Sequence, residues 1–165
     1  MKIRPAVATD LPAIVEIYNQ SIPSRLATAD TEPVTVADKW DWYHQRPANR
    51  PLWVIDQQQE ILGWLSFQNF YGRPAYQHTA EISIYIATEY HHQGLGSKLL
   101  SQAIADAPQL KLTTLLAFVF AHNQPSLQLF SNFGFLTWGH LPHVAELDQI
   151  TRSLTILGRK INQLV

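Results

Sequence analysis

Hydrophobic and polar positions along this chain follow two periods, and the changes of period mark out its elements. Residues 2–7 read as a short first strand. Over about 10–20, Leu11, Ile14, Val15, Ile17 and Tyr18 share one helical face, with Thr9 or Asp10 placed to cap it. Residues 21–34, rich in Ser, Thr, Ala, Asp and Pro, read as a loop. Thr35 is placed to cap a second helix over about 36–46, where Trp40 and Tyr43 stand three apart. The run 52–55 is a strand, 56–60 a turn and 61–67 an antiparallel return. A loop at 69–78 leads into a strand at 81–87, where Ile82, Ile84 and Ile86 alternate with Ser83 and Tyr85. A helix over 97–107 breaks at Pro108, and the continuous apolar run 113–120 suits a strand buried on both faces. A short helix over 125–132 has Gly134 as its C-cap, and 135–140 and 152–157 read as two last strands.

The predicted order is β-α-α-β-β-β-α-β-α-β-β. That is an α/β (α+β) arrangement, a central mixed sheet flanked by helices, without the strict alternation of a doubly wound fold. Strand 81–87, helix 97–107 and strand 113–120 make one right-handed crossover unit. At 165 residues and 46% apolar content, the chain reads as one domain, 1–165, with a full core. A net charge of −1 gives no basic field, so no nucleic-acid partner is expected. No apolar run is long enough to span a membrane and the N-terminus has no signal-like core, so a cytoplasmic protein is expected. There is no Cys, which removes disulfides, thiolate zinc sites and a Cys nucleophile. The seven His show no metal-ligand spacing, and no metal is expected.

Candidate chemistry gathers in two places. Strand 81–87 runs through His91, His92, Gln93, Gly94, Leu95, Gly96 and Ser97 into a helix. Free N–H groups and the helix dipole at such a junction suit a phosphate or pyrophosphate, although a glycine pair before a helix is also an ordinary turn. No G-x-G-x-x-G and no Gly-Lys-Ser/Thr is present, so neither a Rossmann nor a P-loop site is read. The second element is Asn123-Gln-Pro-Ser126-Leu-Gln-Leu-Phe130-Ser-Asn-Phe-Gly134-Phe135, at the end of strand 113–120. By itself it is an N-capped helix. Both elements sit at carboxyl ends of what should be neighbouring parallel strands, where α/β sheets place ligands.

Together the two elements resemble the acetyl-CoA site of the GNAT-type N-acetyltransferase superfamily, with its Arg/Gln-x-x-Gly-x-Gly/Ala loop and its Asn-x-x-Ser signature. Further segments, among them Ile3-Arg-Pro-Ala6, Thr31-Glu-Pro33, Arg73-Pro-Ala-Tyr76 and Thr79-Ala-Glu-Ile-Ser-Ile-Tyr85, are similar to the phosphinothricin acetyltransferase-like branch. The resemblance implies acetyl-CoA as cosubstrate, its pyrophosphate on the N–H groups of 92–97 and its pantetheine arm paired with Ile84, Tyr85 and Ile86. It also implies an N–H near Ile86 as oxyanion donor, and Asn123 and Ser126 on the second strand's side. Glu81 takes the family's base position, because an ammonium must lose a proton before it can attack. A carboxylate exposed at a strand edge is the plain alternative. Arg73 and Tyr76 would shape the acceptor pocket, where Arg suits a substrate carboxylate; a solvated loop Arg is the alternative. The resemblance further implies a homodimer.

Four positions depart from the family pattern. His91 stands where Arg or Gln usually opens the loop, and Phe130 replaces a Tyr able to protonate the leaving thiolate. Ala29 replaces an aromatic residue, and Asp148-Gln-Ile-Thr-Arg-Ser lacks the branch's Trp-x-Asp. The expected activity is direct acetyl transfer to a small primary amine, an amino acid or an analogue such as phosphinothricin or methionine sulfoximine. The alternatives are a protein N-terminal or lysine acetyltransferase and a non-catalytic acyl-CoA-binding sensor. A closed aromatic acceptor pocket would favour the small amine, and a wide or acidic groove the protein.

Overall fold

The computed structural model describes residues 1–162, so the last three residues of the expected domain 1–165 lie outside the described residues. Seven strands form one sheet: β1 (Lys2–Pro5), β2 (Leu52–Gln57), β3 (Glu60–Asn69), β4 (Thr79–Ile86), β5 (Thr114–Phe120), β6 (Leu136–Leu147) and β7 (Ile150–Lys160). Their order is β1-β2-β3-β4-β5-β7-β6, and β4 with β5 is the parallel pair. Four helices cover it: α1 (Leu11–Gln20), α2 (Val36–His44), α3 (Leu95–Asp106) and α4 (Gln124–Asn132). Element order matches the expectation from the apolar periodicity.

Alternation along the strands sorts the two faces. Leu65 and Phe67 of β3, Ile82 of β4 and Leu115, Ala117 and Val119 of β5 pack with Leu99 and Leu100 of α3. On the other face, Val54 and Trp64 pack with Ile14, Ile17 and Tyr18 of α1. Each fully buried Leu or Ile contributes about 1.5–3 kcal/mol by leaving water. The Trp64 indole N–H also donates to the Ile14 carbonyl at 3.1 Å, which fixes α1 along β3.

Several boundaries move from the sequence-based expectation. Strand β4 begins two residues earlier, so Glu81 sits inside the strand and does not open it. Helix α3 begins at Leu95, with Gly94 before it at φ +77°. Strands β6 and β7 reach well past 135–140 and 152–157. Most of β6 is exposed, so no apolar alternation marks its length. The β6–β7 turn holds Asp148 and Gln149 at φ 52° and 65°, and the β2–β3 turn holds Gln58 and Gln59 at 53° and 71°. Two consecutive positive values match the tight hairpin turn that suits strand twist, here built without glycine.

Thr35 caps α2 as expected: its hydroxyl accepts from the Asp38 N–H, and Asp38 accepts from the Thr35 N–H. Asp10 does not cap α1. Its carboxylate accepts from the Val7 N–H at 2.8 Å and from two Arg4 nitrogens at 2.7 and 3.0 Å. Arg4 also donates to Asp56 at 2.8 Å, so one guanidinium ties β1, the start of α1 and the end of β2. The Arg4 hydrogen bonds hold the Asp10 carboxyl below the usual aspartate value, outweighing desolvation.

A carboxylate with a lowered folded pKa stabilises fully above its unfolded pKa, and the benefit is lost as pH falls through the folded value. Asp10→Asn should therefore lower the urea midpoint by a constant amount above about pH 5, with the difference shrinking below about pH 4. Urea titrations of both proteins between pH 2.5 and 7 check this.

Candidate active site

The β4–β5 ladder is short. It pairs Thr79 with Thr114, Ala80 with Leu115 and Glu81 with Leu116, and then the strands part. Past Glu81, a cleft of about 410 Å³ opens between them. One wall is 81–85 of β4, the other 117–120 of β5, with Asn123, Ser126 and Phe130 at the α4 end.

Backbone direction along β4 follows from one bond. The Ala87 N–H donates to the Leu62 carbonyl at 2.9 Å, and the antiparallel register pairs Tyr85 with Trp64 and Ser83 with Ser66. Odd residues of β4 thus turn their N–H and C=O groups to β3, and even residues turn theirs to the cleft. Ile84 and Ile86 face the gap where β5 has moved away. The expected Tyr85 backbone pairing is corrected: its main chain belongs to β3, and its side chain enters the site instead. The Tyr85 hydroxyl donates to the Ala27 carbonyl at 3.2 Å, and burial pushes the phenol well above its ordinary range.

The turn after β4 is held from several sides. His91 meets the Ile86 carbonyl at 2.8 Å through Nε2, which must donate there. It braces the strand end against the loop, in the place where an Arg or Gln was expected. His92 has φ 60°, and Gln93 donates to the Glu89 carbonyl. Gly94 needs its left-handed conformation and has open space where a Cβ would stand. Gly96 has a different reason: a Cβ there would lie 3.2 Å from Leu129, so glycine lets α3 approach α4. The N–H groups of Leu95, Gly96 and Ser97 open α3, whose first turn has no helical partner for them.

Asn123 is buried and already engaged. Its Oδ1 accepts from the Ser126 N–H at 3.3 Å, and its Nδ2 donates to the Leu26 carbonyl at 3.2 Å. His122 meets the Arg25 carbonyl at 2.8 Å. These contacts and Tyr85 draw residues 26–29 into the cleft wall, a role that nothing in that loop's composition signalled.

Glu81 lines the cleft on the same face as Ser83 and Tyr85, opposite Gln68 of β3. It is half-buried, and desolvation raises its carboxyl pKa. Next to it lies a second cavity of about 170 Å³, walled by Tyr18, Trp42, Trp64 and Tyr85 on the α1–α2 side. Trp64 lies 4.6 Å from Tyr85 between ring centroids, and Tyr18 5.1 Å from Tyr85. Sequence reading assigned Tyr18 to the core and left Trp42 and Trp64 without a site role, because an aromatic residue in a strand or on an amphipathic helix is ordinarily packing.

Arg73 and Tyr76 line neither the cleft nor this cavity; both are exposed on the loop before β4. Tyr76 approaches the site only through Phe70, whose ring lies 5.2 Å from Tyr76 and stacks at 6.4 Å on cleft-lining Phe118. Among the described residues no cluster of three or more His, Asp or Glu could hold a metal ion, and no helix is long and apolar enough to cross a membrane.

A family model for the acetyltransferase (GNAT) family matches residues 11–135. The chain belongs to this family, and it is an N-acetyltransferase. It is 48% identical over 163 residues to YwnH of Bacillus subtilis, whose name assigns it provisionally to phosphinothricin acetylation; the match covers 98% of this chain and 100% of that protein. It is 31% identical to the L-amino acid N-acyltransferase MnaT of Escherichia coli, over 87% of this chain and 84% of that one. Its fold is similar to that of a phosphinothricin acetyltransferase from Sinorhizobium meliloti solved in complex with acetyl-CoA. The TM-score there is 0.91, at 26% identity, covering 98% of this chain and 88% of that one.

The cleft wall depends on Asn123. Asn123→Ala should cost about 1–2 kcal/mol through the lost helix cap. It should also speed amide exchange in the peptide spanning 25–30, read by hydrogen–deuterium exchange mass spectrometry.

Proposed function

We propose that the chain transfers the acetyl group of acetyl-CoA directly to the amine of a small amino acid or amino-acid analogue, with Glu81 as general base. The observation that carries this reading is the cleft beside Glu81, edged by the backbone groups of Ile84 and the N–H of Ile86, which β5 leaves unpaired. An extended amide-bearing arm fits such an edge as an added strand would. The N–H groups of 94–97 suit its pyrophosphate, and Asn123 and Ser126 stand on the opposite wall.

Acetyl-CoA supplies an acyl group activated as a thioester. Glu81 takes a proton from the acceptor ammonium, which frees the lone pair that forms the N–C bond as the C–S bond breaks. The Ile86 N–H, turned into the cleft, suits the developing oxyanion. Phe130 offers no proton to the departing thiolate, so the second proton, shed by the new amide nitrogen, reaches the thiolate through water. With no Cys in the chain, no cysteinyl acetyl-enzyme forms.

The small aromatic cavity beside Glu81 supports a small-molecule acceptor over a protein chain, as do the names of the L-amino acid and phosphinothricin relatives. Arg73 and Tyr76 belong to this reading as rim residues that meet the acceptor on entry. A homodimer belongs to it as well, supported by the exposed apolar side chains Leu136, Trp138, Leu141 and Val144 along β6. The cytoplasm suits a chain without Cys.

Thiol release from acetyl-CoA against a panel of amines, across pH, tests the reading. Wild type should acetylate at least one small amine. Its kcat/KM should fall as pH drops through the Glu81 pKa, at a point above the ordinary glutamate value of about 4.3. Glu81→Gln should lower kcat/KM about 10²–10⁴-fold and remove that acid limb. A near-wild-type rate in Glu81→Gln across pH would exclude Glu81 as base. Tight CoA binding without thiol release for any amine would make the chain an acyl-CoA-binding module.

A further inference from the structure

The cavity beside Glu81 is aromatic in its walls but rich in donors. Ser66 is 1% exposed, and its oxygen accepts from the Arg46 guanidinium at 2.7 Å, which leaves its own O–H without an acceptor among the described residues. Gln68 and Ser83 also line the cavity, and neither side chain has a hydrogen-bond partner among the described residues. Lys39 projects from α2 into the same space, its ammonium 5.0 Å from the Tyr18 ring centroid and 5.5 Å from that of Trp42.

Lys39 forms no ion pair among the described residues. Neither nearby carboxylate pairs with it directly: Asp38 accepts from the Thr35 N–H, and Asp30 accepts from the Tyr18 hydroxyl. Behind Ser66, half-buried Arg46 lies over Trp42 with its guanidinium carbon 4.5 Å from the ring centroid. Burial pushes Arg46 down to about 10, which leaves it charged at neutral pH. A cation hydrogen-bonded to the Ser66 oxygen makes its O–H a stronger donor. A small, partly enclosed space with one cation in its wall, a second behind Ser66 and several unspent donors favours an oxygen-rich anion.

We propose that this cavity is an anion subsite for the acceptor, taking a carboxylate or other oxyacid group at the end remote from the amine, with Lys39 as its counter-charge. The inference rests on the proposed role of Glu81. Ser83 lies two residues along the same strand face, about 7 Å from Glu81 at the rise of a β-strand. An amino acid with an oxyacid side chain spans that length from amine to distal oxygens. Ser66 and Ser83 then donate to the oxyanion, Lys39 supplies charge, and Trp42 and Trp64 exclude water around it.

Tryptophan fluorescence reads this site without turnover, because Trp42 and Trp64 wall it. Glutarate, which has no amine, should produce a saturable change in wild type, and glutaramide should not. Lys39→Met should weaken glutarate about tenfold or more, and Lys39→Arg should restore most of it. In the thiol-release assay, the ratio of kcat/KM for glutamate to that for glutamine should fall by a similar factor in Lys39→Met. Glutarate that fails to bind wild type, or binds Lys39→Met equally, overturns the subsite whatever the turnover. Acetyl transfer to no amine, with glutarate still bound through Lys39, overturns the proposed reaction and leaves the subsite standing.

Discussion

Parallel pairing between β4 and β5 lasts from Thr79 to Glu81 and then stops, and the rest of the site follows from that break. A continued ladder would have spent the main-chain groups of Ile84 and Ile86 on β5. Instead β5 pairs along its full length with β7 on its other side, from Thr114 to Phe120. That ladder holds β5 in place without help from β4. The sheet therefore tolerates a gap in its middle, and the gap carries an unpaired strand edge into a buried wall. Unpaired backbone at such a place is costly unless water or a ligand satisfies it.

Side chains reinforce the same division of labour. Odd residues of β4 send Glu81, Ser83 and Tyr85 to the α1–α2 face, while their main chains bond β3. Even residues bury Ile82 under α3 and aim their main chains at the cleft. One strand thus supplies a backbone edge, a carboxylate and an acceptor wall without any residue doing two incompatible tasks. Tyr85 anchors residue 27, and Asn123 anchors residue 26, so a loop with no secondary structure of its own becomes a wall. His91 completes the frame by holding the Ile86 carbonyl.

Much of this was legible in the sequence because apolar periodicity reports burial directly. Ile82, Ile84 and Ile86 marked β4, the 113–120 run marked β5, and Leu127 and Phe130 marked α4. Where burial is absent the signal is absent too, so β6 past His140 went unread: Leu141 and Val144 are apolar yet exposed. Asp10 was misread because a carboxylate before a helix looks the same whether it caps that helix or holds Arg4. The gap between β4 and β5 has no composition of its own, and only the resemblance to acetyltransferases pointed to it. Lys39 and Trp42 come from α2 and Trp64 and Ser66 from β3, and no spacing in the chain announces that they meet.

Residue-resolved amide exchange by NMR tests the central claim, that Ile84 and Ile86 form a free edge for the cosubstrate. In the free protein the N–H groups of Ile84 and Ile86 should exchange much faster than that of Tyr85, which bonds β3. Saturating acetyl-CoA should slow Ile84 and Ile86 and leave Tyr85 unchanged. Protection of Ile84 and Ile86 in the free protein, or exchange that acetyl-CoA does not slow, would contradict the account.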